Sequence, residues 1–390
     1  MSLRRVIEEE IGRHGPFPFS RYMELCLYHP ELGYYSRPQE KFGKTGDFYT
    51  SSDVHAVFGR LLARQFEEMW RALGSPGRFD ICELGPGRGL FGQDVLDWSR
   101  KRFPALYAAL HCSLVENSPG LRSRLEERFS GEIAGGRVQV CASLAELHAP
   151  LTHAVVFANE FFDALPVEVV TSEGQVHVDV EDGRFVERFQ PPPPEVHAFL
   201  DRYGVRPEAG ERVEASLAAM QCVKAVAEKL VRGFVLLIDY GYTREEQLAG
   251  RHRDTLMTYR GHSAGENPYE APGEQDITAH VNFTALRAAA EGAGLETLGL
   301  MTQAQFLMGI GQVNEFADAF EDCVLPQERA KVALQLKHLV TPAGMGETFH
   351  VLVLARQVDE EKGKRLSGLA FGPGVTTHLR AFGTVEWRRA

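Results

Sequence analysis

The chain has 390 residues, 44% of them hydrophobic, and 53 Asp and Glu against 42 Lys and Arg give it a formal net charge of −11. That length implies one large elaborated domain or two domains. No long basic run is present, so a nucleic-acid footprint, which needs clustered Lys and Arg, is not expected. The six cysteines (Cys26, Cys82, Cys112, Cys141, Cys222, Cys323) are scattered, with no Cys-x-x-Cys pair. Several sit in apolar runs, which fits a reducing compartment and argues against a disulfide frame or a structural zinc site. The first ten residues lack the apolar stretch of a signal peptide and are too acidic for a transit peptide. No apolar run is long enough to span a bilayer, so a cytoplasmic protein without membrane insertion is expected.

Apolar residues at Leu3, Val6, Ile7 and Ile11 predict a helix over 3–13, and a second helical pattern covers about 20–28. A polar, glycine-rich segment, 42–53, leads into a long helix over roughly 54–73. From 79 the pattern alternates. Strands are predicted at about 79–84, 112–116, 137–140, 154–158 and 234–240, with helices near 89–101 and 119–129. Apolar, β-branched strands separated by helices imply a parallel sheet buried on both faces. Residues 166–190 read as short alternating strands with turns at Glu173-Gly174 and Asp182-Gly183. Pro191 to Pro194 follows as a stiff extended spacer, then helical patterns at 195–203 and 213–231. Residues 242–282 are polar and poor in regular pattern. Asn282 is placed to cap a helix over 283–293. The chain closes with a strand near 295–301, helices across 303–338 and an apolar strand at 349–355. The final adjacent strands fit a seven-stranded sheet with one strand reversed.

The most informative stretch is Glu83-Leu84-Gly85-Pro86-Gly87-Arg88-Gly89: a buried strand ending on a carboxylate, then a glycine turn opening a helix. A dinucleotide fingerprint spaces its glycines Gly-x-Gly-x-x-Gly around a pyrophosphate. Here the third glycine comes one residue early, and Glu83 would repel a pyrophosphate. A carboxylate suits a ligand with an ammonium group, and S-adenosylmethionine (SAM) carries one, plus a sulfonium and no phosphate. The next strand ends on Glu116, about one strand–helix–strand unit later, where an acid accepts both hydroxyls of a ribose.

The fourth strand runs into Asn159-Glu160-Phe161-Phe162-Asp163-Ala164-Leu165-Pro166, at the sheet edge where a methyl acceptor would arrive. Methyl transfer from a sulfonium is an in-line displacement that depends on positioning, and a protonated nucleophile also needs a proton acceptor. Glu160 and Asp163 are candidates to grip a guanidinium, and Phe161 or Phe162 to stack on it. Thr45, Gly46, Asp47 and Thr50 are candidates for a lid on the cofactor, with a capped loop as the plainer reading. The Tyr259–His262 and Asp276–Phe283 segments offer further polar contacts. His280 is a candidate proton acceptor, with a structural hydrogen-bonding role as the alternative. No His, Cys and Asp cluster has metal-ligand spacing.

At these residues the chain resembles the MidA-like SAM-dependent methyltransferases, a family that includes the mitochondrial complex I assembly-factor arginine methyltransferase. The resemblance covers roughly residues 1–355. It rests on Gly46-Asp47-Phe48-Tyr49-Thr50, the glycine turn, the Asn159–Pro166 run, Ile238-Asp239-Tyr240-Gly241 and the two later polar segments, of which the Asn159–Pro166 and Thr278–Phe283 runs are the more specific. It implies an α/β fold: a Rossmann-like, seven-stranded class I methyltransferase sheet with an N-terminal helical extension and inserted elements serving substrate or dimer contacts. It implies SAM binding at Gly85, Gly87, Gly89 and Glu116, and suggests methylation of a protein arginine, on a respiratory-complex subunit or another protein.

The expected division is 1–75 for the helical extension and covering loop, 76–165 and 232–355 for the core, 166–231 and 242–282 for insertions, and 356–390 for a tail. The expected site has Glu160, Asp163 and His280 as catalytic groups. Thr45, Gly46, Asp47, Thr50, Glu83, Gly85, Pro86, Gly87, Gly89, Glu116 and Asn159 contact SAM, and Phe162, Tyr259, His262 and Asn282 contact the acceptor. A homodimer is compatible with the insertions but not required. A small-molecule acceptor and a SAM-binding assembly factor with little turnover are the alternative readings; a nicotinamide oxidoreductase ranks last.

Overall fold

The apolar runs beginning at Phe79, Leu110, Val138, Ala154 and Gly233 all become strands of one sheet in the computed structural model, which describes residues 2–37, 56–147, 149–260, 263–265 and 267–372. In chain order the elements that build the site are α1 (Leu3–His14), α2 (Phe19–Tyr28), α3 (Ala56–Ala72), β1 (Phe79–Leu84), α4 (Leu90–Arg102), β2 (Leu110–Val115), α5 (Pro119–Arg128), β3 (Val138–Cys141) and β4 (Ala154–Asn159). An inserted group follows: β5 (Glu168–Thr171), β6 (Gly174–Glu181), β7 (Arg184–Gln190), α6 (Pro194–Arg202) and β8 (Arg212–Ala215). Then come α7 (Leu217–Lys229), β9 (Gly233–Tyr242), β10 (Met257–Arg260), β11 (Ser263–Gly265), β12 (Asp276–Thr278), α8 (Phe283–Gly292), β13 (Glu296–Thr302), α9 (Gln303–Gln312), α10 (Pro326–Val340) and β14 (Phe349–Arg356).

The main sheet has the order β13-β14-β9-β4-β1-β2-β3. All neighbours are parallel except β14, which runs antiparallel to both β9 and β13. This is the seven-stranded class I methyltransferase sheet with one reversed strand. Its strands are apolar along their length because helices cover both faces. On one face α3 and α4 stack Phe58, Phe66 and Phe91 over Phe157, with the Phe91 and Phe157 rings 4.3 Å apart. On the other, α7 and α8 bury Val223, Val226, Leu286 and Ala290 against Val235 and Leu237. Asn282 caps α8 by accepting the Ala285 N–H at 2.9 Å.

A third core joins the N-terminal extension to the first insertion. Phe17 and Pro18 pair antiparallel with β6, and Ile7, Phe19, Tyr22 and Met23 pack on Val169, Val176 and Val178. Two expectations are corrected here. The predicted helix over 213–231 starts later, because Arg212–Ala215 forms β8 and pairs with β5. The 242–282 stretch is not pattern-free: β10, β11 and β12 form a small antiparallel sheet.

Candidate functional site

In an open α/β sheet the carboxyl ends of the strands, at the point where neighbouring connections diverge, leave a crevice. Here β1 has β2 on one side and β4 on the other. A cavity of about 850 Å³ opens at that edge and runs from the glycine turn to the N-terminal extension and the β10–β12 sheet.

One end is built by β1 and β2. Gly85 has φ +63° and a Cβ there would lie 2.7 Å from the Phe161 ring, so only glycine admits both the turn and the packing. Glu83 is buried at the cavity wall, and burial together with the Glu116 charge pushes its carboxyl up to about 8. Glu116 is pushed up to about 6 by burial, opposed by N–H groups of Ser118, Gly87 and Asn117. The Ser118 N–H reaches Glu116 Oε1 at 2.9 Å. Asn159 closes this end, with its Nδ2 donating to Glu160 Oε1 at 3.1 Å and its buried Oδ1 without a partner.

The other end is aromatic and acidic. Asp163 is 6% exposed; Tyr240 donates its hydroxyl to Asp163 Oδ2 at 2.5 Å, and Oδ1 is buried without a partner. Burial pushes this carboxyl up to about 6, against the Tyr240 hydrogen bond. Tyr28 and Tyr35 enter from the extension as a stacked pair, ring centres 5.6 Å apart. Tyr35 donates its hydroxyl across both oxygens of Asp276, at 3.0 and 3.1 Å. Tyr259, Thr278 and His280 complete the wall, and Glu24 adds a further carboxylate. Arg88 is the one Arg or Lys among the described lining residues.

Residues 61–301 match the family model described as "Putative S-adenosyl-L-methionine-dependent methyltransferase". The chain is 31% identical to the Drosophila melanogaster "Protein arginine methyltransferase NDUFAF7 homolog, mitochondrial", over 92% of this chain and 87% of that one. It is 28% identical to the human protein named "Protein arginine methyltransferase NDUFAF7, mitochondrial", over 88% and 81%. A crystal structure from Burkholderia thailandensis bound to S-adenosyl-homocysteine superposes with a TM-score of 0.80 at 32% identity, covering 95% of each chain. This chain belongs to the MidA-like SAM-dependent methyltransferases.

SAM is the cofactor of this methyltransferase, and the residues fit it. The glycine turn, the two raised carboxyls and the unpartnered Asn159 oxygen form a wall suited to a cationic, hydroxyl-rich and phosphate-free ligand. Of the residues expected to hold it, Glu83, Gly85, Pro86, Gly87, Glu116 and Asn159 line the cavity. Gly89 does not. Its φ of +72° starts α4, and a Cβ there would meet Leu125 and Phe129 at 2.6 and 2.7 Å, so its task is packing α4 against α5 and the residue after it. Thr45, Gly46, Asp47 and Thr50 lie outside the described residues, as does His262.

Glu160, Asp163, His280 and Tyr259 all line the cavity. His280 is pushed down to about 4 by burial and by His252, whose Nδ1 lies 3.0 Å from its own. A neutral ring so engaged is a poor proton acceptor, and its edge contact with the Tyr240 ring makes it a support for that phenol. Two expected acceptor contacts are displaced. Phe162 is 3% exposed and packs in the apolar core beneath the sheet, while Phe161 faces the cavity. Asn282 is spent on capping α8 and on donating to the Tyr203 carbonyl. Sequence reasoning does not single out Tyr28 and Tyr35, since nothing local marks a tyrosine of the N-terminal extension as reaching across the sheet, and it quotes Tyr240 only within the Ile238–Gly241 run, without a role. Asp276 lies inside a segment that it does single out. Among the described residues no group of His, Cys, Asp and Glu is arranged to hold a metal ion.

Proposed function

We propose that the chain methylates an arginine side chain of a protein, with Asp163 as the proton acceptor. The observation that carries this is the Asp163 carboxylate: buried, held by Tyr240, with one oxygen unpartnered at a cavity end walled by acids and aromatics. A guanidinium is a planar cation that pairs with carboxylates and stacks on aromatic faces, so it matches such a wall better than a neutral or anionic acceptor does. The names of the relatives support the same class of acceptor.

SAM supplies the methyl group: an N–C bond forms, the S–C bond breaks with its electron pair left on sulfur, and the attacking nitrogen loses a proton. Asp163 holds the guanidinium before transfer and takes that proton. Tyr240 fixes the carboxylate so that Oδ1 is the oxygen presented. Phe161, at the glycine turn, and Tyr28 and Tyr35, at the far wall, exclude water. We also keep the reading of a reducing, cytoplasmic location, supported by six cysteines that are all free, four of them buried.

The test is label transfer from radioactive SAM into a lysate of source cells lacking the protein. A discrete protein band whose label is recovered as methylarginine is expected. Asp163→Asn should lower its labelling rate about 10²- to 10⁴-fold while leaving S-adenosyl-homocysteine affinity within a few fold. Label confined to small molecules, or full activity in Asp163→Asn, would discard the proposal.

A further inference from the structure

The loop that presents Asp163 is itself organised by a residue outside the cavity lining. Asp239, near the end of β9, is 1% exposed. Its Oδ2 accepts three successive backbone N–H groups, those of Phe161, Phe162 and Asp163, at 3.1, 2.9 and 3.3 Å. Its Oδ1 accepts the Tyr240 N–H at 2.9 Å. Three consecutive amides converging on one oxygen form an anion nest. They can converge only because the chain turns sharply just before them, and Glu160 makes that turn with φ +50°, a left-handed conformation a glutamate adopts only when held there. The nest therefore fixes Glu160, Phe161 and Asp163 together, and the same β9 segment supplies the Tyr240 phenol.

The hydrogen bonds also say where the negative charge lies. Burial and the neighbouring Asp163 and Glu160 push the Asp239 carboxyl up. Yet each hydrogen bond to its oxygens comes from an N–H donor, so a proton on Asp239 would point at a donor. A carboxylate that accepts several amides keeps its charge. Asp163 accepts the Tyr240 phenol, with smaller help from the Ala164 and Asp163 amides, and its Oδ1 is left without a hydrogen-bond partner. The other groups facing Asp163 are Tyr28 and Tyr35 from the extension and Tyr259 from the inserted sheet, and Glu160 and Asp276 line the same cavity. The tyrosines are raised by burial and neutral near pH 7, so within the acid pair the charge beside Asp163 is that of Asp239.

We propose that Asp239 is the positioning residue of the acceptor site: a permanently ionised carboxylate that shapes the 160–163 loop and, by its charge, raises the proton affinity of Asp163. This rests on Asp163 being the proton acceptor. It assigns the division of labour within the acid pair: Asp239 never titrates in the working range, and Asp163 does.

The test is a carboxyl titration by ¹³C NMR on the full chain labelled at aspartate Cγ and saturated with S-adenosyl-homocysteine, the Asp163 signal being assigned by its loss in Asp163→Asn. Across pH 4 to 9 the Asp239 signal should stay that of an anion while Asp163 titrates above the ordinary carboxylate range. In Asp239→Asn the Asp163 midpoint should fall by about one unit or more, as removal of an adjacent like charge requires. The labelling rate should fall at least tenfold, with S-adenosyl-homocysteine affinity retained. An unchanged Asp163 midpoint in an Asp239→Asn protein that still binds S-adenosyl-homocysteine would overturn the proposal. So would a wild-type Asp163 signal that stays that of an anion across the range, and that measurement stands even if the Asp239→Asn variant misfolds. The titration needs no acceptor protein, so absence of label in any protein would sink the arginine reading and leave this result to be judged separately.

Discussion

Glu83 holds its proton at neutral pH, because burial and the Glu116 charge raise its carboxyl to about 8. The sign of its effect on stability follows. The folded chain binds this proton more tightly than the unfolded one, whose glutamate titrates near 4.3. The site's contribution is therefore fully present at low pH and is lost as pH rises from about 4.3 through 8. A ligand that brings an ammonium to Glu83 reverses the preference, favours the anion and expels the proton. S-adenosyl-homocysteine, which keeps the ammonium, should thus bind with proton release and with affinity rising between pH 6 and 8. Titration calorimetry in buffers of different ionisation enthalpy would read both. In Glu83→Gln the pH slope should vanish and affinity should fall about tenfold or more, the range for losing a hydrogen bond to a charged group. A slope that survives the substitution would remove Glu83 from the cofactor site.

At the scale of elements, the position of α4 depends on a residue that touches no ligand. Gly89 begins the helix at φ +72°, with Leu125 and Phe129 where a side chain would go. Gly89→Ala should cost about 2–4 kcal/mol, from left-handed strain plus overpacking, seen as a lower urea midpoint with unchanged slope. A loss of S-adenosyl-homocysteine affinity without a loss of stability would show that the glycine serves the ligand after all. The case illustrates what a sequence can carry. Five apolar strands, the reversed closing strand and the strand-end acids were legible because each is a local pattern with a fixed place in a doubly wound sheet. The strand Arg212–Ala215 was not, because four residues leading into a helix have no periodicity of their own and are set by pairing with β5. The β10–β12 sheet, with strands of three or four residues, was missed for the same reason. The choice of Phe162 over Phe161 as the acceptor contact fails too, since which of two adjacent rings faces the cavity depends on the turn at Glu160, which Asp239 imposes from a strand almost eighty residues away.

Over the whole molecule, the cofactor end and the acceptor end have different origins. Glu83, Glu116 and Asn159 all come from strand ends of the main sheet, whereas the acceptor end also takes Tyr28 and Tyr35 from the extension and Tyr259 and Asp276 from the inserted sheet. Tyr35 is where they meet. Its hydroxyl bridges the oxygens of Asp276, and its carbonyl accepts the Ser118 hydroxyl at 2.8 Å. Ser118 in turn donates its N–H to Glu116, the carboxylate expected at the ribose. Losing the phenol should remove the bond that ties Asp276 to the extension, leaving its Ile277 N–H bond in place, without disturbing Glu116, because the Tyr35 carbonyl contact belongs to the backbone and survives. Tyr35→Phe is therefore expected to raise the acceptor KM roughly tenfold, consistent with about 1.5 kcal/mol for a hydrogen bond to a charged group. The affinity for S-adenosyl-homocysteine should change by less than about threefold. Steady-state labelling at varied acceptor concentration, with calorimetry on the same preparation, separates the two constants. Equal losses in both would mean that the extension holds the core together and does not take part in acceptor binding. An acceptor-only loss would place the specificity of this methyltransferase in the segments added to its sheet.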